Sequence, residues 1–349
     1  MNREKKEITI YDIAAQLKVS TATVSRALRD DPAVSSKTKK KILDFAEQHG
    51  YQTNQFARNL RQRQTQTIGV IIPRLNSYFM ATVIAGVEQV ANAAGYNLLI
   101  SQSSESVERE RSVVRTMFNN RVDGLLVSLS YNTDSLDHFS KFAEKNVPVI
   151  FFDRTFKTNN FTSISINNFQ AGYEATRHLI EIGCTRIAHV TVSIKQSIYK
   201  ERFLGYAQAL AEANIPLDMA LISLGDLSLE AGATAVDYLL TLAARPDGIF
   251  VANDTCAAGC VIHLKKQGIR IPDDIAVVGF NNDPICRIVE PNLTSISYPG
   301  HEMGELAVRS LINHLNGDAN IMLTQHIQLR SDLIVRHSTK IERRKGKIK

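Results

Sequence analysis

Apolar residues follow two different spacings along this chain, and the spacing changes near residue 67. Before residue 51 they recur every three or four positions, which predicts helices. From Ile68 onward, short apolar runs alternate with amphipathic stretches, which predicts strands that alternate with helices. We therefore expect a small all-α head followed by a larger α/β body.

The head is predicted to contain three short helices. Thr9 and Asp12 have capping-box spacing ahead of the first helix, and Ser20 can cap the second. Gly50 is placed to end the third. Two helices joined by a turn of a few residues form a helix-turn-helix arrangement. The helices are expected at about residues 10–17, 21–28 and 36–48.

The body is predicted to form two doubly wound lobes, because alternating strands and helices favour parallel sheets covered on both faces. A cleft between such lobes is a natural ligand site, since loops at the carboxyl ends of strands converge there. The first lobe is expected at about residues 68–166 plus 299–330, and the second at about 167–298. Residues 293–298 and helix 301–315 are expected to cross back toward the first lobe. The other predicted strands are 68–72, 97–101, 124–129, 148–152, 186–192, 248–252 and 275–280.

A polar, basic segment joins the head to the body. It places Phe56, Ala57 and Leu60 on one face, but a short isolated helix is only marginally stable in water. We interpret it as a linker that could become helical on a partner. The predicted domains are a head at 1–53, a linker at 54–67, a core at 68–339 and a basic tail at 340–349.

Positive charge is concentrated at the two ends of the chain. Residues 1–66 carry +6 and residues 340–349 carry +5, whereas residues 67–339 carry −5. A basic head on an acidic body suits a protein whose head binds a polyanion such as DNA. The tail is interpreted as a solvated end.

Several other classes of protein are disfavoured. No run of about 18 apolar residues is present and the N-terminus lacks an apolar signal region, so we expect a cytoplasmic protein without a membrane segment. Cys256 and Cys260 could share a helical face, but no second ligand pair follows, so buried reduced thiols are expected and no metal or cofactor. Hydrolase, P-loop, dinucleotide and metalloprotease motifs are missing, so we expect no enzyme.

The head carries a specific sequence pattern. Tyr11-Asp12-Ile13-Ala14, followed by Val19-Ser20-x-x-Thr23-Val24-Ser25-Arg26, resembles the lactose-repressor/purine-repressor (LacI/GalR) family of transcriptional regulators. The resemblance covers residues 8–337 and implies a two-lobed core like that of periplasmic binding proteins. The match continues through Gly50-Tyr51, Asn54, Ala57-Arg58-Asn59-Leu60, Asn76-Ser77-Tyr78-Phe79, Phe152-Asp153-Arg154, Asn253-Asp254 and Val278-Gly279-Phe280.

The resemblance implies that the second helix reads DNA bases in the major groove. Thr21, Ala22 and Arg26 would touch base edges. Arg26 can donate two hydrogen bonds to guanine, and Ala22 can contact a thymine methyl group. The alternative is that the hydroxyl residues are helix caps and that Arg26 is a solvated charge. The expected phosphate contacts are Ser20, Thr23, Ser25 and Tyr11.

The linker resembles the family's hinge helix, which folds when two protomers meet on DNA. Leu60 would wedge into a minor-groove base step and kink the duplex. Alternatively, Leu60 packs on the head. The remaining DNA-binding positions expected in this segment are Asn54, Ala57, Arg58 and Arg61.

The resemblance also implies a pocket for a sugar, a sugar derivative or a nucleobase. Its residues would stack on a ring of the ligand or form hydrogen bonds with the ligand, and they would include the planar guanidinium group of an arginine. Asn281 stands where many relatives carry Asp, and Leu227 where relatives often carry an aromatic ring, so the ligand chemistry can differ here. Core packing or inter-lobe bonding is the alternative role for each, and Asp254 is open to both interpretations. The expected pocket residues are Tyr78, Phe79, Asp153, Arg202, Leu227, Asn253 and Asn281.

The sequence therefore favours a ligand-controlled repressor that binds a palindromic operator as a homodimer. A dimer is expected because no leucine heptad follows Val335. The alternatives are a sugar-binding receptor protein without DNA function, which predicts an export signal and no basic head, and a sugar-processing α/β enzyme.

Overall fold

The computed structural model describes residues 8–51, 64–156, 161–194 and 197–340, apart from the side chain of residue 197. The chain divides into a unit that ends at Thr65 and a unit that begins at Gln66. The basic tail from residue 341 lies outside the described residues. So do the linker positions expected to bind DNA, which are Asn54, Ala57, Arg58, Leu60 and Arg61.

The described part of the first unit contains three helices: α1 (Ile10–Leu17), α2 (Thr21–Ala27) and α3 (Ser36–Gln48). The capping box is present, because Thr9 N–H donates to Asp12 Oδ2 at 2.8 Å and Asp12 N–H donates back to Thr9 Oγ1 at 3.3 Å. Lys18 adopts a left-handed φ of 56° and turns the chain between α1 and α2. The apolar faces of the helices meet in a small core that includes Ile13, Val24 and Ile42.

The second unit contains two six-stranded sheets. The first sheet has the order β11-β5-β4-β3-β1-β2, and all its strand pairs are parallel. Its strands are β1 (Thr67–Ile72), β2 (Asn97–Gln102), β3 (Gly124–Val127), β4 (Val149–Phe152), β5 (Thr162–Ile166) and β11 (His326–Leu329).

The second sheet has the order β12-β10-β9-β8-β6-β7, and only its β10–β12 pair is antiparallel. Its strands are β6 (Ile187–Thr191), β7 (Ile222–Leu224), β8 (Gly248–Val251), β9 (Ala276–Asn281), β10 (Thr294–Ser297) and β12 (Leu333–Ile334). The two sheets define a first lobe and a second lobe, so the predicted fold class, a helix-turn-helix head with a two-lobed α/β core, is confirmed.

Helices cover the sheets as strand-helix alternation requires. The first lobe uses α4 (Tyr78–Ala93), α5 (Val107–Asn119), α6 (Ser140–Glu144) and α12 (Gly300–Leu315). The second lobe uses α7 (Asn168–Glu181), α8 (Ser197–Glu212), α9 (Leu229–Thr241), α10 (Asp254–Lys266) and α11 (Ile285–Ile288). Short 3₁₀ turns lie at Asp137–Phe139, Met219–Leu221 and Ile321–Leu323.

The chain passes between the lobes three times: after β5, after β10 and after β11. The last passage, which the pattern did not predict, brings β12 onto the second sheet. Ser338 then donates its hydroxyl hydrogen to the Val277 carbonyl at 2.6 Å. Residues that follow the carboxyl ends of strands in both lobes line one shared cleft.

Candidate functional site

Helix α2 presents the side chains expected to read bases to the surrounding solvent. Ala22 and Arg26 are exposed, and Thr21 is half-buried. On the opposite side of α2, Val24 and Ala27 are fully buried in the core of the head. The helix is therefore held by its apolar face, and its polar face is free to approach a groove. Tyr11, expected to touch phosphate, is 72% exposed.

The hydroxyl groups expected at phosphates already have partners within the head. Ser20 caps α2 by accepting from Thr23 N–H at 3.0 Å, and the two hydroxyl oxygens lie 2.8 Å apart. Ser25 Oγ accepts from Arg29 Nη2 at 3.3 Å. Ser20 is thus a helix cap, and its contact with phosphate stays a prediction. A hydroxyl that accepts one bond retains a donor hydrogen, so these contacts leave capacity for phosphate.

In the core, a cavity of about 650 Å³ lies in the cleft at the carboxyl ends of the strands. We call it the effector cavity. Loops after β1, β4, β7, β8 and β9 contribute to its wall. Its volume falls within the range of about 300–1,000 Å³ that is usual for small-molecule sites. The structure brings together here every pocket position expected from the sequence: Tyr78, Phe79, Asp153, Arg202, Leu227, Asn253 and Asn281.

Asp153 follows β4 and is buried in the wall of the effector cavity. Its carboxylate accepts from Tyr298 Oη at 2.8 Å and from Ser128 Oγ at 3.2 Å. Burial raises the pKa of Asp153, and neighbouring positive charge and these hydrogen bonds act in the opposite direction. A left-handed φ of 57° orients the residue. A buried carboxylate held by two donors is suited to accept hydrogen bonds from ligand hydroxyls.

Arg202 extends from α8 to the floor of the effector cavity and is buried. Its Nε donates to Asn168 Oδ1 at 3.0 Å and its Nη1 donates to the Ala252 carbonyl at 3.0 Å. The guanidinium carbon lies 3.5 Å from the Phe280 ring centroid, a cation–π contact. Burial lowers the pKa of Arg202 from its ordinary value. The guanidinium group of Arg202 is thereby fixed in one orientation before any ligand binds.

A second arginine, which the sequence analysis did not assign to the pocket, lies beside the first. Arg154 Nη1 donates to Glu105 Oε2 at 2.6 Å, and its Nη2 donates to Tyr199 Oη at 3.3 Å. The Tyr199 and Glu105 side chains raise the pKa of Arg154 despite its burial, so it stays charged. Arg74 lies 3.6 Å from the same Glu105 carboxylate.

One carboxyl group, that of Asp283, lines the effector cavity, and a second, that of Asp254, is buried next to it. Asp254 accepts from Asp283 N–H at 2.8 Å and from Ser295 Oγ at 2.7 Å, so protein groups engage both of its carboxylate oxygens. Burial, reinforced by the nearby Asp283 carboxyl, raises the pKa of Asp254 to about 7. Burial also raises the pKa of Asp283, which lines the cavity, to about 6. Asn253 caps α10 by accepting from Cys256 N–H at 2.8 Å.

Aromatic and aliphatic side chains form the apolar part of the effector cavity. Phe79 is buried and stacks on Tyr298 with ring centroids 4.3 Å apart, so it supports the wall. Tyr78 is 53% exposed at the mouth. Leu227 is buried with a left-handed φ of 60°, and Asn281 has a φ of 112°. Both residues therefore have backbone conformations that non-glycine residues rarely adopt, and both line the cavity.

Further cavity residues escaped the sequence analysis although a signal was present for some of them. Arg154 is next to Asp153, and Asp283 is two positions after Asn281, so each lies beside a position that was assigned. The cavity residues that were missed include Glu105, Tyr131, Arg154, Tyr199, Asp283 and Tyr298.

The cysteines lie in the core of the second lobe and at its edge. Cys184, Cys256, Cys260 and Cys286 are buried free thiols. Cys260 Sγ donates to the Gly232 carbonyl at 3.4 Å. In residues 8–51, 64–156, 161–194 and 197–340, no three metal-binding side chains form a cluster. Within the same ranges, no helix has the length and apolar character needed to cross a bilayer.

A helix-turn-helix head followed by a two-lobed α/β core is the architecture of a class of DNA-binding transcriptional regulators. Residues 9–54 match bacterial regulatory proteins of the lacI family, and residues 176–339 match a periplasmic binding protein-like domain. The chain is 33% identical over 334 residues to catabolite control protein A of Priestia megaterium, a match that covers 95% of this chain and 99% of that protein. It belongs to the LacI family of transcriptional regulators.

Other relatives have the same layout. The ribose operon repressor of Haemophilus influenzae is 33% identical over 307 residues, which is 88% of this chain and 92% of that protein. The lac repressor dimer bound to operator and the anti-inducer ONPF superposes with a TM-score of 0.84 at 27% identity, over 96% of this chain and 99% of that chain. The complex of the regulator CelR with cellobiose superposes with a TM-score of 0.72 at 27% identity, over 95% of this chain and 100% of that chain. The relatives from Priestia megaterium and Haemophilus influenzae are regulators, not enzymes.

Proposed function

We propose that this chain is a repressor that binds a palindromic operator as a homodimer, and that a neutral sugar or sugar derivative in the effector cavity changes its affinity for DNA. The observation that carries the proposal is the convergence of Asp153, Arg202 and Asn253 on one cavity between the lobes. A ligand that touches both lobes favours one arrangement of the lobes over another, which is the requirement for control at a distance.

The charges of the effector cavity favour an uncharged ligand. Its acidic side chains outnumber its basic ones, and the arginines at Arg154 and Arg202 are already engaged by protein groups. A phosphate or carboxylate would meet more carboxyl groups than guanidinium groups in this cavity, which costs free energy in a buried site. The charged residues that line the cavity are Glu105, Asp153, Asp226, Glu230, Asp283, Arg74, Arg154 and Arg202.

The two-fold assembly is proposed by analogy with the relatives. The lac repressor structure with the high TM-score is a dimer bound to operator. Two heads on a dimer read two half-sites, so the operator is expected to be palindromic. Reciprocal coupling follows: a ligand that weakens operator binding must itself bind less tightly to the operator complex.

The test is a thermal-shift screen of the full chain against sugars, sugar acids and nucleobases. A ligand at ~100 times its dissociation constant stabilises the native state by ~2.7 kcal/mol. Arg202→Ala is expected to lose that shift, and Met322→Ala, an exposed substitution outside the cavity, is expected to keep it. If Arg202→Ala keeps the full shift, the ligand binds elsewhere. A parallel gel-shift titration at low salt measures duplex binding, and its absence would overturn the DNA-binding role.

A further inference from the structure

The first sheet contains two strands with a polar face. Its three central strands β1, β3 and β4 are buried and almost wholly apolar, as buried parallel strands are. In β5, however, Ile164 and Ile166 enter the core beneath α12, and Ser163 and Ser165 alternate with them. Adjacent β11 repeats the pattern, which places His326 and Gln328 beside the two serines. Alternation means that one face of this strand pair is built to meet polar groups.

The polar face is not covered by the helices that cover its neighbours. Helices α5 and α6 pack on β1, β3 and β4 through residues such as Val114, Met117 and Phe142, and that cluster stops before β5. Over β5 and β11 there is instead a cavity of about 1130 Å³, which we call the side groove. Its lining includes Ser163, Ser165, His326 and Gln328 from the sheet, with Phe169 and Leu204 from the second lobe.

The side groove and the effector cavity are neighbours. Tyr131 and Ile198 line both, so these two side chains form the partition between them. Tyr131 comes from the first lobe and is 39% exposed, whereas Ile198 comes from the start of α8 in the second lobe. The two spaces thus lie on either side of one tyrosine and one isoleucine, along the same boundary between the lobes.

The loop that contains Tyr131 is anchored from both sides. Glu105 Oε2, which also pairs with Arg154 in the effector cavity, accepts from Tyr131 N–H at 3.3 Å. Beneath the loop, fully buried Glu110 accepts from Ser130 N–H at 2.7 Å and from Thr133 Oγ1 at 2.9 Å. A ligand that binds at Glu105 or Arg154 therefore contacts the structure that positions the partition.

The side chains of the groove specify the chemistry of its occupant. Tyr131 and Phe169 present partly exposed rings, 39% and 37%, which suit the apolar face of a pyranose ring. The hydroxyl and amide groups of Ser165, Gln328 and Asn168 both donate and accept hydrogen bonds. Acidic and basic side chains are both present, so neither sign of charge on the ligand is favoured. The charged or titratable lining residues are Asp134, Lys200, Glu201 and His326.

We propose that the side groove is the second half of an extended ligand site, in which a neutral oligosaccharide places one unit in the effector cavity and its following units across Tyr131 onto the face of β5 and β11. This inference rests on the proposed sugar-sensing function and names the size of the effector. Because the groove takes residues from both lobes, the added units also contact both lobes and strengthen the preference for one lobe arrangement.

The experiment is isothermal titration calorimetry on the full chain with homologous gluco-, xylo- and galacto-saccharides of one to four units. In at least one series, the trisaccharide is expected to bind about tenfold more tightly than the monosaccharide. The double substitution of Phe169→Ala with Gln328→Ala removes a ring and an amide from the groove. It should return the trisaccharide to the affinity of the monosaccharide and leave the monosaccharide unchanged. Met322→Ala, which lines neither cavity, serves as the control.

The outcomes separate this proposal from the one on which it rests. If a monosaccharide binds and longer chains bind no better, the groove proposal is wrong and the sugar-sensing function stands. The groove proposal is also wrong if the double variant weakens the monosaccharide as much as the trisaccharide, because the groove residues would then act through the cavity itself. If no saccharide binds although the variant and parent proteins melt cooperatively, the groove proposal fails, and the sugar-sensing function fails with it when the thermal-shift screen also finds no ligand.

Discussion

Tyr298 donates its hydroxyl hydrogen to Asp153 across 2.8 Å, although the two residues are 145 positions apart in sequence. Asp153 directly follows the fourth strand of the first lobe, and Tyr298 follows β10, where the chain leaves the second lobe. The bond therefore joins a loop of one lobe to a crossing between the lobes. It also orients the carboxylate that we propose as a ligand acceptor.

Tyr298→Phe is expected to destabilise the native protein by about 1–3 kcal/mol, because a buried carboxylate would lose one of its two donors. The ring remains, so stacking on Phe79 is preserved and the change isolates the hydroxyl group. The pKa of Asp153 should rise further, since this hydrogen bond lowers it. Urea unfolding at pH 7 measures the free energy of unfolding.

The matched control is Tyr238→Phe, which removes an exposed hydroxyl group that donates to the Ala220 carbonyl at 3.0 Å. Its expected cost is below about 0.5 kcal/mol, as for most surface substitutions. Equal unfolding midpoints for Tyr298→Phe and the parent protein would show that the buried bond contributes no stability.

Arg26→Ala should lower the discrimination between the operator and a single-base variant by about 1–3 kcal/mol, because the exposed guanidinium is placed to pair with a base edge. Fluorescence anisotropy with both duplexes at fixed salt gives the two dissociation constants. Arg29→Ala is the matched control: its guanidinium folds back on Ser25, donating to the backbone carbonyl at 3.1 Å. The control should weaken both duplexes alike. If Arg26→Ala also weakens both alike, Arg26 contacts phosphate and not a base.

The sequence predicted the head closely because its signals are local. Thr9, Ser20 and Gly50 cap or end helices through contacts within a few residues, and the structure has all three at helix ends. The predicted strand 124–129 ends earlier, at Val127. The extension was wrong because Ser128 and Ser130 turn their hydroxyl groups to Asp153 and Ser103, contacts that no local pattern encodes.

Two of the four strands that escaped prediction, β5 and β11, share one physical property. β5 and β11 alternate serine, histidine or glutamine with isoleucine or leucine, and polar residues at alternate positions weaken the apolar signal of a short strand. Their polar face lines the side groove. The same alternating polar residues therefore hide these strands from the sequence pattern and form one wall of the groove. In the effector cavity, the assigned positions rested on family motifs, whereas Tyr298 and Glu105 reach it only through the tertiary fold.

Gly172 fixes the backbone of Arg202. A Cβ atom at Gly172 would lie 2.2 Å from the Arg202 carbonyl oxygen and 2.8 Å from its Cα, so Gly172→Ala must push α8 away from α7. The expected loss is about 1–3 kcal/mol of stability, as for other overpacked cores. Ligand affinity should fall as well, because the guanidinium group of Arg202 moves when the backbone of Arg202 moves.

The control for that effect is Gly124→Ala. Its added Cβ would lie 2.8 Å from a Leu311 side-chain carbon, at the start of β3 and away from the cavity. We expect lower stability with unchanged ligand affinity. Thermal melting and calorimetry with the ligand found by screening measure the two quantities. Parallel losses of affinity in both variants would show that global destabilisation, and not the position of Arg202, controls binding.

Asp283→Asn should change how stability depends on pH. Burial raises the folded-state pKa of Asp283 to about 6, and burial together with Asp283 raises that of Asp254 to about 7, from ordinary values of 3.8. A raised folded-state pKa contributes stability that is fully present below the unfolded pKa and is lost as pH rises through the folded pKa. The parent protein should therefore lose stability from these groups between about pH 4 and pH 7, by about 1.4 kcal/mol for each unit of pKa.

The buried His189 opposes this trend, since burial lowers its pKa to about 4 and its contribution is lost as pH falls. The informative quantity is thus the difference between Asp283→Asn and the parent protein, because His189 is common to both. Urea unfolding at intervals between about pH 5 and pH 8 should show this difference growing in favour of the variant as pH rises, since the variant removes one buried charge and its repulsion of Asp254. A difference that stays constant over this range would mean that neither carboxyl group titrates there.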